Sequence, residues 1–85
     1  MIVQGRVQGV FFRANTKEKA DLLGLKGWAR NLRSGEVEIV VQGEIPKLEN
    51  FIEWCREGPM RARVSDIKVD FEDIKEEFEE FKIKK

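Results

Sequence analysis

The chain has 85 residues, 41% hydrophobic and 38% charged, which suits one domain over 1–85 with a thin core beneath a strongly ionic surface. Its 16 basic and 16 acidic residues cancel, so charge gives no reason to expect nucleic acid or an anionic membrane as partner. There is no histidine, no tyrosine and one cysteine, which excludes catalytic triads, imidazole acid–base chemistry and zinc sites built on His or several Cys.

In chain order, Met1 to Val7 reads as a first strand ending in a turn at Gln8-Gly9. Phe12, Thr16, Lys19, Ala20 and Leu23 then fall on one face at helical spacing, with Gly24 as the C-terminal stop. Leu25 to Leu32 reads as a second strand with Leu25, Gly27, Ala29 and Asn31 on one side, and Arg33-Ser34-Gly35 turns the chain. Val37, Ile39 and Val41 alternate with Glu36, Glu38 and Gln42 in a half-buried third strand.

Pro46 fits the first turn of a second helix, whose apolar stripe is Leu48, Phe51, Ile52 and Cys55 and whose end is Gly58-Pro59. Ile67, Val69 and Phe71 alternate with Lys68 and Asp70 as a fourth strand. Glu72 to Glu77 is expected to form a turn or helical excursion, and Phe81 and Ile83 a short edge strand. Phe71, Phe78 and Phe81 are expected in the core. Cys55 is expected to be a buried, inert thiol, and its being alone places the chain in a reducing, cytoplasmic setting. No apolar run approaches the length of a membrane-spanning helix.

The order strand–helix–strand–strand–helix–strand predicts an α+β fold. It is the ferredoxin-like split βαβ sandwich, an antiparallel sheet of four to five strands with two helices on one face. That plan hosts many activities, so function has to be argued from a site.

The segment Gln8-Gly9-Val10-Phe11 precedes the first helix and offers no Ser, Thr, Asp or Asn as a cap. A glycine turn with free N–H groups at the positive end of a helix is an anion cradle. Arg13 sits in the first helical turn, where the dipole disfavours a cation, and a bound anion would answer both features. Taken alone, the segment also reads as an ordinary strand–helix turn completed by glycine or water, and that reading is the commoner one. Asn31 ends its strand beside a tight turn, where asparagine often serves only the backbone. Parity nevertheless puts it on the same side as the small residues Gly27 and Ala29, which suit a helix packed close above; if the first helix covers that side, the Asn31 amide sits near the loop that carries Arg13.

The segments Gly5-Arg6-Val7-Gln8-Gly9-Val10-Phe11-Phe12-Arg13, Gly27-Trp28-Ala29-Arg30-Asn31, Gly35-Glu36-Val37-Glu38, Gly58-Pro59 and Ala62-Arg63-Val64 stand in order along nearly the whole chain. In these the sequence closely resembles the acylphosphatases. The resemblance implies that the catalytic arginine and asparagine fall on Arg13 and Asn31. It further implies a phosphate-binding loop over Gln8, Gly9, Val10, Phe11 and Phe12 together with Arg13. An acylphosphatase hydrolyses acyl phosphates to carboxylate and inorganic phosphate, with no metal and no cofactor. The expected partner is therefore a small acyl phosphate, with no nucleic acid or membrane, and a monomer suffices.

Departures from the family pattern are few. Members usually carry several more residues before Gly5, so a central first strand would leave core exposed at its start. Ala14 stands where an aromatic is common, and Arg33-Ser34 replaces a Pro-Asp-like turn. None of these removes a catalytic group.

Two other readings of the fold remain. One is a non-catalytic phosphate- or protein-binding module, as in larger carbamoyl-transfer maturation proteins. The other is an RNA-binding domain, which would want basic, aromatic-bearing central strands. The third strand, Glu36 to Val41, carries acids and no aromatic.

Overall fold

A computed structural model describes residues 1–59, 61–73 and 75–84. Seven elements follow one another: β1 (Ile2–Arg6), α1 (Phe12–Leu22), β2 (Lys26–Asn31), β3 (Val37–Gln42), α2 (Ile45–Glu57), β4 (Arg63–Lys68) and β5 (Phe81–Lys84). The sheet order is β4-β1-β3-β2-β5. Each βαβ unit therefore skips one position, and the other unit's strand fills the gap, which is the interleaving the element order predicts. The β1–β3, β1–β4 and β2–β3 pairings are antiparallel, as expected. β5 lies at the edge as expected but runs parallel to β2, so the five-stranded sheet is mixed.

The core lies between the helices and the sheet. Val3, Leu25, Ala29, Val37, Ile39 and Phe81 from strands and strand ends meet Phe12 and Ala20 of α1 and Phe51 and Cys55 of α2. Trp54, half-buried, packs its ring 6.3 Å from the rings of both Phe12 and Phe51. Gly27 is required where it stands: its φ is 144°, and a Cβ there would collide with the Val40 carbonyl of β3. Burial desolvates the Cys55 thiol and pushes it from its ordinary 9.0 up to about 12, which makes it the inert group expected.

The fourth strand departs from its sequence pattern. β4 stops at Lys68 because its partner β1 begins at Ile2, the residue paired with Lys68. A strand without a neighbour has no ladder to continue, so Phe71 falls past the sheet and is 64% exposed, a correction to its expected place in the core. Phe81 is 1% exposed, as expected, and Phe78 is half-buried. Among the described residues of the acidic stretch from Glu72 to Glu77 no helix forms; Ile74 lies outside them. The Gln42 side chain anchors this stretch instead, with Nε2 donating to the Glu76 carbonyl at 2.9 Å and Oε1 accepting from the Phe78 N–H at 3.3 Å.

β1 is an interior strand, flanked by β4 and β3. Beside its first residues a groove of about 510 Å³ opens between β3, α2 and the segment after β4, lined by Met1, Val41, Leu48, Ile52 and Val69 among others. No described helix is long and apolar enough to cross a membrane.

Candidate active site

The loop from β1 to α1 is shaped by two left-handed residues. Gly9 has φ 73°, which glycine adopts freely. Phe11 has φ 60° and ψ 23° as the residue capping α1, with no side-chain cap hydrogen bond. A bulky residue in that region is strained by about 1–3 kcal/mol, and such strain gathers at ligand clamps. The Phe11 carbonyl accepts from both the N–H and the side-chain Nδ2 of Asn15, each at 3.0 Å, so the strained cap is held from inside the helix. Among the described residues, the N–H groups of Gln8 to Phe12 donate to no other part of the chain. The sequence-level picture of an uncapped helix start is thereby met.

Arg13 follows in the first turn of α1. Its Nη1 donates to the main-chain carbonyl of Lys84 in β5 at 2.9 Å. One edge of the guanidinium is thus fixed against the sheet, and a guanidinium has donors to spare. Asn31 ends β2, half-buried, with its Oδ1 buried and without a hydrogen-bond partner among the described residues. A buried amide oxygen left unpaired costs about 1–3 kcal/mol, so its presence asks for a purpose.

Gln8, Gly9, Phe11, Phe12, Arg13 and Asn31 line one cleft of about 270 Å³, with Val7, Ala14 and Ile83 completing its wall. Seven residues were expected at the site, and six of them meet here. Val10 is the exception: its side chain is buried and does not line the cleft, which leaves only its main chain to serve a ligand.

Gln8 carries a feature that the sequence did not reveal. Its Nε2 donates to the carbonyls of Leu32 at 2.8 Å and Glu36 at 2.9 Å, so the side chain bolts the loop to the β2–β3 turn just beyond Asn31. The same turn is held by Gln4, whose Nε2 donates to the Glu36 carboxylate at 2.7 Å, and by the Ser34 hydroxyl, also at 2.7 Å. The Ser34 and Gln4 hydrogen bonds hold the Glu36 carboxyl below its ordinary range. The Gln8 and Gln4 contacts bridge residues more than twenty positions apart, and no local pattern announces them.

A family model described as Acylphosphatase matches residues 1–83. The chain is 51% identical over 85 residues to an acylphosphatase of Aeropyrum pernix, covering 99% of this chain and 84% of that protein. It is likewise 51% identical over 70 residues to an acylphosphatase of Rubrobacter xylanophilus, there covering 82% of this chain and 64% of that protein. The crystal structure of acylphosphatase from Bacillus subtilis superposes with a TM-score of 0.95 at 38% identity, covering 99% of this chain and 93% of the other. With the match running through both the loop and the strand that ends in Asn31, and with the whole sheet superposing, this chain belongs to the acylphosphatase family.

Proposed function

We propose that the protein hydrolyses acyl phosphates, with Arg13 and the main-chain N–H groups of Gln8 to Phe12 binding the phosphoryl oxygens and Asn31 placing the attacking water. The observation that carries this reading is the buried, unpartnered Oδ1 of Asn31 in the same cleft as Arg13 and the uncapped start of α1. An acceptor in that position suits a water proton, while the N–H groups and guanidinium suit an anion.

The chemistry matches what the chain owns. Water attacks phosphorus in line as the bond to the carboxyl oxygen breaks, and the electron pair leaves on a carboxylate that needs no proton. The water proton passes to a phosphoryl oxygen of the substrate itself. The products are carboxylate and dihydrogen phosphate, so neither histidine nor metal is called for. Phosphoryl transfer of this loose kind depends on positioning and charge stabilisation more than on a strong base. A monomer in a reducing compartment suffices for this work, in keeping with one buried cysteine.

The test is benzoyl phosphate hydrolysis in the presence of chelator. Arg13→Gln removes a charge-assisted donor worth about 3 kcal/mol, so kcat/KM should fall roughly a hundredfold or more. A wild-type rate lost to chelator, or an Arg13→Gln protein that keeps its rate, would overturn the reading.

A further inference from the structure

A second cleft backs onto the same loop. It measures about 570 Å³ and is lined by Arg6, Gly9, Val10, Arg61, Ala62 and Arg63. Gly9 lines both clefts, so the phosphate loop is the ridge between them. No acidic residue lines the second cleft, and among the described residues none of its three arginines enters an ion pair.

The β1–β4 ladder sets Arg6 directly opposite Arg63. Like charges at that position repel and destabilise a sheet. The ladder shifts register between Gln4 and Gly5, and the two main chains run closely together there. Gly5 has φ 126°, and a Cβ on it would collide with the Arg63 carbonyl. Three cations therefore share one cleft with no ion pair among the described residues, and Gly9 alone separates that cleft from the proposed phosphoryl site.

We propose that this cleft is a subsite for a second anionic group on the acyl part of the substrate. The preferred substrates are then acyl phosphates that carry a carboxylate or a phosphate at a distance from the anhydride. The anhydride phosphate occupies the Arg13 side of the ridge, and the distal anion reaches over Gly9 to Arg6, Arg61 and Arg63. A guanidinium suits either anion because its fork accepts both geometries. The proposal rests on the acylphosphatase reading above and adds to it the class of acyl group.

The experiment compares benzoyl phosphate with 4-carboxybenzoyl phosphate, in wild type and in the triple variant Arg6→Gln, Arg61→Gln, Arg63→Gln. The readout is the ratio of kcat/KM for the two substrates, set against the variant Lys26→Gln, Lys47→Gln, Lys82→Gln, which loses the same charge at exposed positions away from both clefts and so accounts for the general positive field on the more anionic substrate. Exposed pairs contribute modestly, so the triple variant should lose roughly fivefold of the wild-type preference for the carboxylated substrate, chiefly through KM. Added salt should shrink the wild-type preference toward the variant's. Arg61→Gln alone, outside the ladder, serves should the triple variant fail to fold, and should lose part of the same preference. An equal ratio in wild type and variants overturns the subsite. Failure of wild type to hydrolyse benzoyl phosphate at all would instead remove the acylphosphatase reading beneath it.

Discussion

Arg13 and Lys84 are joined across the fold by a hydrogen bond of 2.9 Å from the guanidinium Nη1 to the main-chain carbonyl. The bond ties the first turn of α1 to the edge strand β5. The partner is a backbone group, so no side-chain substitution at position 84 removes it. Ending the chain at Ile83 does. That truncation should raise KM for benzoyl phosphate about fivefold, the loss expected for one exposed hydrogen bond worth about 1 kcal/mol, with a smaller effect on kcat. Steady-state kinetics of the truncated and full chains decides it.

Two buried oxygens lack partners among the described residues, the Thr16 Oγ1 on the core face of α1 and the Asn31 Oδ1. The two should respond oppositely to replacement. Thr16→Val exchanges an unpaired hydroxyl for a methyl of similar shape, so stability should hold or rise by about 1 kcal/mol with turnover unchanged. Asn31→Ala should lower kcat tenfold or more while the inhibition constant for inorganic phosphate stays within about twofold. Urea melts and phosphate inhibition of both variants separate the two cases.

The Gln8 side chain should act through position rather than contact with substrate, which is left to the main-chain N–H. Gln8→Ala removes both bonds to the β2–β3 turn, whose carbonyls keep their main-chain donors (the Gly35 N–H for Leu32, the Leu32 N–H for Glu36), at a cost of about 1–3 kcal/mol for the two bonds together. The signature is a fall in kcat that Gln8→Glu fails to restore, since a carboxylate cannot donate to Leu32 and Glu36. Equal kcat in wild type and Gln8→Ala would leave the bolt without a role in turnover.

Cys55 gives a prediction in pH. Its thiol titrates at about 12 in the folded chain against an ordinary 9.0. Below pH 9 both states keep the proton, so the thiol has no effect on the balance. Between 9.0 and about 12 only the unfolded chain ionises, so stability falls as pH rises through that window. Thermal melts between pH 8 and pH 10.5 should show a decline that Cys55→Ala lessens. A thiol reagent should label the native chain slowly and the denatured chain at once.

The fold was legible wherever an element's two faces differ in polarity. Val37, Ile39 and Val41 spelled out β3, and Phe51 and Cys55 marked the buried face of α2, because period and burial coincide there. Phe71 misled because its alternation with Asp70 and Lys68 continues past the point where β1 offers a partner; hydropathy records what could pair, and a neighbour decides what does. The direction of β5 was equally hidden, since a strand's own sequence does not state which way its neighbour runs. At the site, Gly9, Arg13 and Asn31 stood out through local rules of turn, cap and parity. Gln8 stood out only as a member of the loop, because the carbonyls that engage its side chain belong to residues 32 and 36.

The parallel attachment of β5 has a consequence for assembly. Position 13 and position 84 stand near opposite ends of the chain, and closing so long a loop is among the last contacts a folding chain can afford. A chain emerging in order acquires its arginine early and the means of aiming it late. Intermediates with the central strands already paired would hold the phosphate loop yet grip a ligand weakly, so recovery of turnover during refolding should lag behind burial of Trp54, which packs on Phe12 and Phe51 rather than on β5.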